Sequence, residues 1–151
     1  MKRIILLIII PMLLTACGGS DSGKSYTCTL SVSCEELVDS AVLAEEKREL
    51  VPEDGVIIAA TEVSFAEGDS VFDVLLTLCR ENKIHLEYSE VPLYNTAYIE
   101  GINNLYEFDA GALSGWVYTV NGVSPNIGAS AYILSDGDVV EWSYTVDKGV
   151  E

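Results

Sequence analysis

Basic side chains are scarce in this 151-residue chain. Lys and Arg number 8 against 24 Asp and Glu, which gives a formal net charge of −16 at pH 7. A surface of this charge repels nucleic acid and anionic lipid headgroups, so neither is expected as a partner. Acidity on this scale is more typical of a well-solvated surface than of one specific cation site.

Histidine and recognisable catalytic motifs are also nearly absent. His85 is the only histidine, and no serine, threonine or cysteine accompanies it in a known nucleophile motif. It has no second metal ligand at a familiar spacing. Asp136, Asp138 and Glu141 lie close together, but the ligand order of a known calcium loop is missing. We therefore expect neither an enzyme nor a metal site.

The longest apolar run is confined to the N-terminus. Lys2 and Arg3 precede apolar residues 4–14, and Leu-Thr-Ala leads directly to Cys17. The run is shorter than the roughly 20 residues that a permanent membrane-spanning helix needs. This order resembles a bacterial lipoprotein signal, in which the cysteine is lipidated and becomes the first mature residue. A cleaved signal with a chance cysteine, or an uncleaved anchor, is the alternative.

The signal divides the chain into three segments. Residues 1–16 form the predicted lipoprotein signal peptide, residues 17–25 the lipidated Cys17 with a flexible tether, and residues 26–151 one folded domain. Cleavage removes two of the eight basic residues and no acidic one, leaving a net charge near −18. The expected location is extracytoplasmic, with the bacterial cell membrane reached through the lipid on Cys17. The tether spans at most about 28 Å, so the domain is expected close to the membrane surface.

Three cysteines remain after Cys17, namely Cys28, Cys34 and Cys79. Export permits disulfides, and the odd number leaves one thiol over. On one straight strand the Cα atoms of Cys28 and Cys34 would be about 20 Å apart, beyond bridging distance. Either the chain folds back and a Cys28–Cys34 disulfide forms, the pairing favoured here, or each pairs elsewhere or stays reduced.

Hydrophobic periodicity predicts the local elements. The clearest is a helix over residues 70–82, in which Ser70 and Asp73 have capping-box spacing and Cys79 belongs to one buried apolar stripe. A second, amphipathic helix is predicted over residues 35–50. Asn121-Gly122 suits a two-residue hairpin turn. Alternating apolar positions predict strands over residues 26–33 and 84–91, and further strands are predicted over residues 56–65, 97–102, 114–120 and 139–146.

Several stretches resemble the transcobalamin-like C-terminal domain family of bacterial lipoproteins. They are VPEDG at 51–55, EGDSVFDVL at 67–75, YIEGINNL at 98–105, SGWVYTVNG at 114–122 and DGDVVEW at 136–142. The family resembles the small β-domain of vertebrate cobalamin carriers and is similar to β-grasp ligand-binding domains. The resemblance implies an α+β, β-grasp-like domain with five to seven strands around one main helix.

The same resemblance implies a ligand-binding role, with cobalamin or another corrinoid as the candidate ligand. The vertebrate carriers enclose cobalamin between this domain and a large α-helical barrel, for which this chain has no room. Only one wall of such a site is therefore expected. We expect capture of a small molecule for uptake, with a membrane importer as partner. A protein- or glycan-interaction module of the cell envelope is the alternative.

Two groups of residues are the candidate ligand contacts. Trp116 and Tyr118 share one face of a strand, as do Trp142 and Tyr144. If these strands are neighbours, the four rings form either an exposed platform for a flat ligand or part of the core.

The second group lies in and after a predicted loop, a common place for ligand contacts. It consists of Tyr94, Tyr98, Asn103 and Asn104. For the two asparagines the alternative is turn formation, because asparagine readily adopts positive φ.

Overall fold

The computed structural model describes residues 25–91 and 96–148. Within them the chain forms seven strands in two sheets, together with few helices. The predicted signal peptide, Cys17 and Tyr94 lie outside the described residues. The strands are β1 (Tyr26–Ser33), β2 (Val56–Phe65), β3 (Leu86–Val91), β4 (Thr96–Ile102), β5 (Leu105–Tyr106), β6 (Gly115–Val120) and β7 (Val139–Thr145). The predicted mixed α+β class is confirmed.

The large sheet has the strand order β2-β1-β7-β6. The central strands β1 and β7 are parallel, whereas β2 and β6 pair antiparallel with them on either side. Alternate residues such as Leu30, Val32 and Val140 are completely buried, while Ser31 and Glu141 lie on the other face. One face of the large sheet therefore builds the core, and the other carries mainly small polar residues.

Helix α2 forms as its local sequence requires. The structure places α2 at Val71–Glu81 with Ser70 as N-cap. The Ser70 hydroxyl accepts a hydrogen bond from the Asp73 amide, and the Asp73 carboxylate accepts one from the Ser70 amide, which completes the predicted capping box. The predicted apolar stripe is buried in the same cluster as the inner face of the large sheet: Val71, Val74, Leu75, Leu78 and Cys79.

The small sheet has the order β3-β4-β5 and is antiparallel throughout. Its two-residue turn between β4 and β5 places Asn103 and Asn104 at φ angles of 55° and 59°. The predicted strands at 84–91 and 97–102 are thus present with slightly different ends. The short strand β5 was not expected, because two residues are too few for a periodic pattern.

The helix predicted over residues 35–50 is wrong. This segment contains a 3₁₀ turn at Glu35–Leu37 and a single helical turn, α1, at Glu45–Arg48. Its apolar positions do not form one buried stripe, since Val38 and Val42 are 40% and 67% exposed. Helices depend mainly on packing of such a stripe. The segment instead makes tertiary contacts, among them a 2.7 Å hydrogen bond from the Val146 amide to the Glu36 carboxylate.

The favoured Cys28–Cys34 disulfide is not formed in the structure. Cys28 lies within the continuous strand β1 and Cys34 directly after it, so their Cα atoms are roughly 20 Å apart. Both are buried free thiols, as is Cys79. Burial raises the pKa of all three thiols to about 11. The favoured disulfide is therefore wrong, and the structure matches the alternative in which both cysteines stay reduced.

The Asn121-Gly122 turn is present, but it does not join two paired strands. The Val120 amide and the Val123 carbonyl are 2.9 Å apart, and both turn residues have positive φ. Beyond Val123 the chain leaves the sheet in a loop, and β6 pairs with the later strand β7. No helix within residues 25–91 and 96–148 has the length and apolar character needed to cross a membrane.

Candidate functional site

The predicted aromatic platform exists, but it lies in the core. Trp116, Tyr118, Trp142 and Tyr144 are 6%, 8%, 3% and 1% exposed. Trp116 and Tyr144 meet edge to face with ring centres 5.3 Å apart, and Tyr118 and Trp142 stack at 5.1 Å. The strands are neighbours, as expected, yet their aromatic face is covered by the rest of the domain. The four rings are therefore part of the core, which was the alternative to an exposed platform.

The polar ends of Trp116 and Tyr118 connect the large sheet to other parts of the fold, whereas the buried Trp142 Nε1 has no hydrogen-bond partner. Trp116 Nε1 donates to the Leu105 carbonyl at 2.8 Å, and the Tyr118 hydroxyl donates to the Ile127 carbonyl at 2.8 Å. Burial is the main cause that raises the pKa of Tyr118 to about 12. These bonds satisfy groups that would be costly to bury alone. Tyr118 therefore holds the loop that contains Ile127, and Trp116 holds β5 at Leu105.

An open cleft of about 410 Å³ lies at one end of the small sheet. We call it the tip cleft. It is bounded by the N-terminal turn of α2, the ends of β3 and β4, and the loop between β6 and β7. Its volume falls within the range of small-molecule sites. Its lining residues are Phe72, Tyr88, Glu90, Val91, Thr96, Ala97 and Ser130.

Two aromatic rings form the apolar part of the tip cleft. Phe72, in the first turn of α2, meets Tyr88 of β3 edge to face, with ring centres 4.7 Å apart and planes at 70°. Tyr88 is 40% exposed. Such a pair is preorganised, because each ring restricts the rotation of the other. The accessible part of the Tyr88 ring offers a surface on which a flat ligand can stack.

Hydroxyl groups form the polar part of the tip cleft. The Thr96 and Ser130 side-chain oxygens are 3.0 Å apart, and the Ser130 hydroxyl accepts a 2.8 Å hydrogen bond from the Ala97 amide. A Cβ atom at Gly128 would lie 1.8 Å from Thr96 Oγ1, so this close approach requires glycine. A second groove of about 440 Å³ adjoins the tip cleft at Thr96 and runs along residues 125–128.

The predicted loop asparagines do not reach the tip cleft. Asn103 Nδ2 donates to the Leu50 carbonyl at 2.9 Å, and the Asn104 carbonyl accepts a 2.9 Å hydrogen bond from Lys47. With their positive φ angles, both residues serve the turn between β4 and β5. Asn103 and Asn104 therefore form the turn, which was the alternative to ligand contact.

Tyr98 lies on the small sheet but does not line the tip cleft. Its hydroxyl donates to the Glu107 carboxylate and accepts a 2.9 Å hydrogen bond from Lys148. Burial, followed by the hydrogen bond to Glu107, raises the pKa of Tyr98 well above its usual value. Its polar group is thus already bound within the protein.

The acidic residues of the turn before β7 form hydrogen bonds within the fold. The Asp138 carboxylate accepts from the Ser135 amide and from Asn121 Nδ2, each at 2.8 Å, and Asp136 accepts from the Thr27 amide at 2.9 Å. Among the residues that the structure describes, no group of three or more His, Cys, Asp and Glu side chains could hold a metal ion.

The residues that line the tip cleft were not predicted from the sequence. One signal was present: Phe72 is a large apolar residue in α2 that lies outside the buried stripe beginning at Val71. An apolar side chain beside the stripe is only partly covered by the core, as Phe72 is here, so part of it stays available for another contact. No comparable local signal marks Thr96 or Ser130, because their roles arise from contacts across the fold.

The fold is similar to part of one solved structure and, at lower similarity, to a second. Haptocorrin in complex with Cbi matches with a TM-score of 0.61 and 17% sequence identity over 89% of this chain. The chain spans 28% of the length of that haptocorrin chain. A protein from Ruminococcus gnavus ATCC 29149, provisionally described as metal binding, matches with a TM-score of 0.47 and 18% identity. That match covers 80% of this chain and 96% of the other. No curated protein matches the sequence.

A family model matches the greater, C-terminal part of the domain. It covers residues 68–146, from the residues before α2 to the end of β7. The matched region includes α2, the small sheet, β6 and β7, and all the described residues that line the tip cleft. Because the match spans slightly more than half of the sequence, the chain belongs to the family described as "Domain of unknown function (DUF4430)".

Proposed function

We propose that this protein is a small-molecule-binding domain that holds its ligand in the tip cleft for uptake. The observation that carries the proposal is the preorganised Phe72–Tyr88 pair in a cleft of about 410 Å³. The hydroxyls of Thr96 and Ser130 lie beside it and can orient a ligand by hydrogen bonds. A small number of polar groups placed around an aromatic surface is typical of ligand sites.

A corrinoid is the proposed ligand. The support is the fold shared with part of haptocorrin, together with the sequence resemblance to the transcobalamin-like, β-grasp-like domain family. A corrin ring is flat and carries amide side chains, so it suits an aromatic surface flanked by hydroxyl groups. The tip cleft would contact one side of such a ligand.

The proposed location is the outer surface of the bacterial cell membrane, with lipid on Cys17 as the anchor and an importer as the receiving partner. A tethered domain suits local capture and transfer better than long-range transport.

Binding rather than catalysis is the proposed activity. Burial raises the pKa of the three described thiols to about 11, which makes them poor nucleophiles near neutral pH.

One observation favours a second candidate function, docking of a protein or glycan. Phe108 is 59% exposed and has a φ angle of 69°, an unfavourable conformation for an aromatic residue. Strained residues are often retained for function. If Phe108 anchors a partner on the cell envelope, Phe108→Ala should abolish binding in a glycan array or to a surface protein while corrinoid binding is unchanged.

The corrinoid proposal can be tested with residues 18–151, since the described core and the side chains packed against it begin at Tyr26. This protein would be titrated with cobalamin and with cobinamide by calorimetry and thermal shift. A ligand at 100 times its Kd stabilises by about 2.7 kcal/mol, which corresponds to a melting shift of about 10 °C.

Tyr88→Ala should weaken binding, whereas Val42→Ala, which removes an exposed apolar side chain elsewhere, should not. Absence of heat and of stabilisation well above micromolar concentration would exclude both corrinoids.

A further inference from the structure

The charge that the described residues contribute to the lining of the tip cleft is negative. Glu90 is the only charged side chain among the described residues that line it, and the adjoining groove along residues 125–128 has none. The whole chain carries a net charge of −16. A cleft in a protein of this charge attracts cations and repels anions, because its walls concentrate the field.

The N-terminus of α2 does not offset this charge. Helix N-termini attract anions when their amides are free, but the first amides of α2 are already bound. Val71 donates to the Tyr132 carbonyl at 3.0 Å, Phe72 to the Ala129 carbonyl at 3.1 Å, and Asp73 to the Ser70 hydroxyl. The Asp73 carboxylate adds a further negative charge at this end. An anionic group entering the tip cleft would therefore find no free amide of this turn.

Tyr88 and Glu90 are positioned to act on the same ligand group. They are two residues apart on β3, so their side chains leave the same face of the strand. Both line the tip cleft. An aromatic ring next to a carboxylate is a favourable environment for an organic cation, which gains from the ring face and from the charge together.

We propose that the tip cleft selects flat ligands that carry a positive charge, with the ring stacked on Tyr88 and the cationic group near Glu90. This inference rests on the proposed function and adds the charge class of the ligand. It predicts discrimination among ligands of equal shape, which aromatic stacking alone does not provide.

The test uses three probes with the same indole ring: tryptamine, indole-3-propionamide and indole-3-propionate, which are cationic, neutral and anionic at pH 7. Binding to residues 18–151 would be measured by calorimetry at low and at physiological salt. We expect tryptamine to bind roughly four- to fifteen-fold more tightly than the amide, as one charge pair about 5 Å apart in a partly hydrated site implies. The anion should bind most weakly, and added salt should narrow the differences.

Two matched variants locate the effect. Glu90→Gln should bring tryptamine and the amide to similar affinities, because the neutral side chain is of nearly the same size. Glu141→Gln removes the same charge from the opposite face of the large sheet and should leave the preference almost unchanged. Tyr88→Leu should weaken all three probes, and tryptamine at least as much as the other two, because the ring face also attracts the cation. The melting temperatures of the variants would be measured to check that these substitutions leave the fold intact.

The outcomes separate this inference from the proposed function. Equal affinity for the three probes would overturn charge selection and leave ligand binding in place. If Glu90→Gln and Glu141→Gln reduced the preference for tryptamine over the amide equally, charge selection by the cleft would also be overturned. The preference would then come from the overall charge of the protein. Corrinoid binding without tryptamine binding would refute the cationic class. If neither the probes nor the corrinoids bind, the proposed function itself fails.

Discussion

Gly128→Ala should destabilise the protein through one specific collision. A Cβ atom at this position would lie 1.8 Å from Thr96 Oγ1 and 2.7 Å from Thr96 Cγ2. Either the Thr96 side chain rotates or the loop moves away from β4. Both movements disturb the 3.0 Å contact between the Thr96 and Ser130 hydroxyls.

The expected cost follows from two contributions. Overpacking of a close contact costs about 1–3 kcal/mol, and a weakened hydrogen bond adds roughly 1 kcal/mol. We therefore expect Gly128→Ala to lower the free energy of unfolding by about 2–4 kcal/mol. The φ angle of Gly128 is not in the left-handed region, so backbone strain does not contribute.

Urea unfolding of residues 18–151 would measure this cost, with a double-mutant cycle as the control. Thr96→Ala removes Oγ1 and Cγ2, the atoms that collide, although Cβ remains 2.7 Å away. In that background Gly128→Ala should cost at least about 1 kcal/mol less than in the natural sequence. A cost below about 0.5 kcal/mol, or an equal cost in both backgrounds, would refute the contact between this loop and β4.

Two further predictions concern the core. Ser70→Ala removes the buried N-cap hydroxyl of α2, including its 2.6 Å hydrogen bond to Asp73. It should lower the free energy of unfolding in urea by about 1–2 kcal/mol. Ser64→Ala, at an exposed position of β2, is the control and should lower it much less. The buried thiols should resist a thiol reagent until the protein unfolds, when Cys28, Cys34 and Cys79 all react. Their pKa rises from 9.0 to about 11 on folding, so their contribution to stability is present below pH 9 and is lost as the pH rises towards 11. Labelling of the folded protein, or stability unchanged across this pH range, would contradict the burial of these side chains.

Elements with complete local signals were predicted well from the sequence. Helix α2 has a capping box at Ser70 and an apolar stripe at helical spacing, and both signals concern residues close in sequence. Strands β1 and β2 were predicted with their observed bounds, and in β1 every second side chain is buried, as the two-residue period of a strand requires. The segment 35–50 shows the limit of this approach. Its apolar residues suggested a stripe, but Leu37 is buried while Val38 and Val42 are exposed, so no single covered face forms.

The site itself was much less predictable. Alternation shows that Trp116 and Tyr118 share a face, yet it does not tell whether solvent or the rest of the domain covers that face. The buried pairs with Tyr144 and Trp142 became visible only once the strands were placed side by side. Cys28 and Cys34 present the same difficulty, since their separation depends on whether β1 continues to its end.

The sequence alone determined α2, most of the strands, the acidic charge and the N-terminal segment that predicts lipidation at Cys17. These properties depend on residue type and on neighbours within a few positions. The tertiary structure decided which aromatic rings are available to a ligand. Phe72, Tyr88, Thr96 and Ser130 are distant in sequence, and they meet because α2, the small sheet and the loop before β7 pack together. Their cleft arises from those contacts across the fold, which no short stretch of sequence encodes.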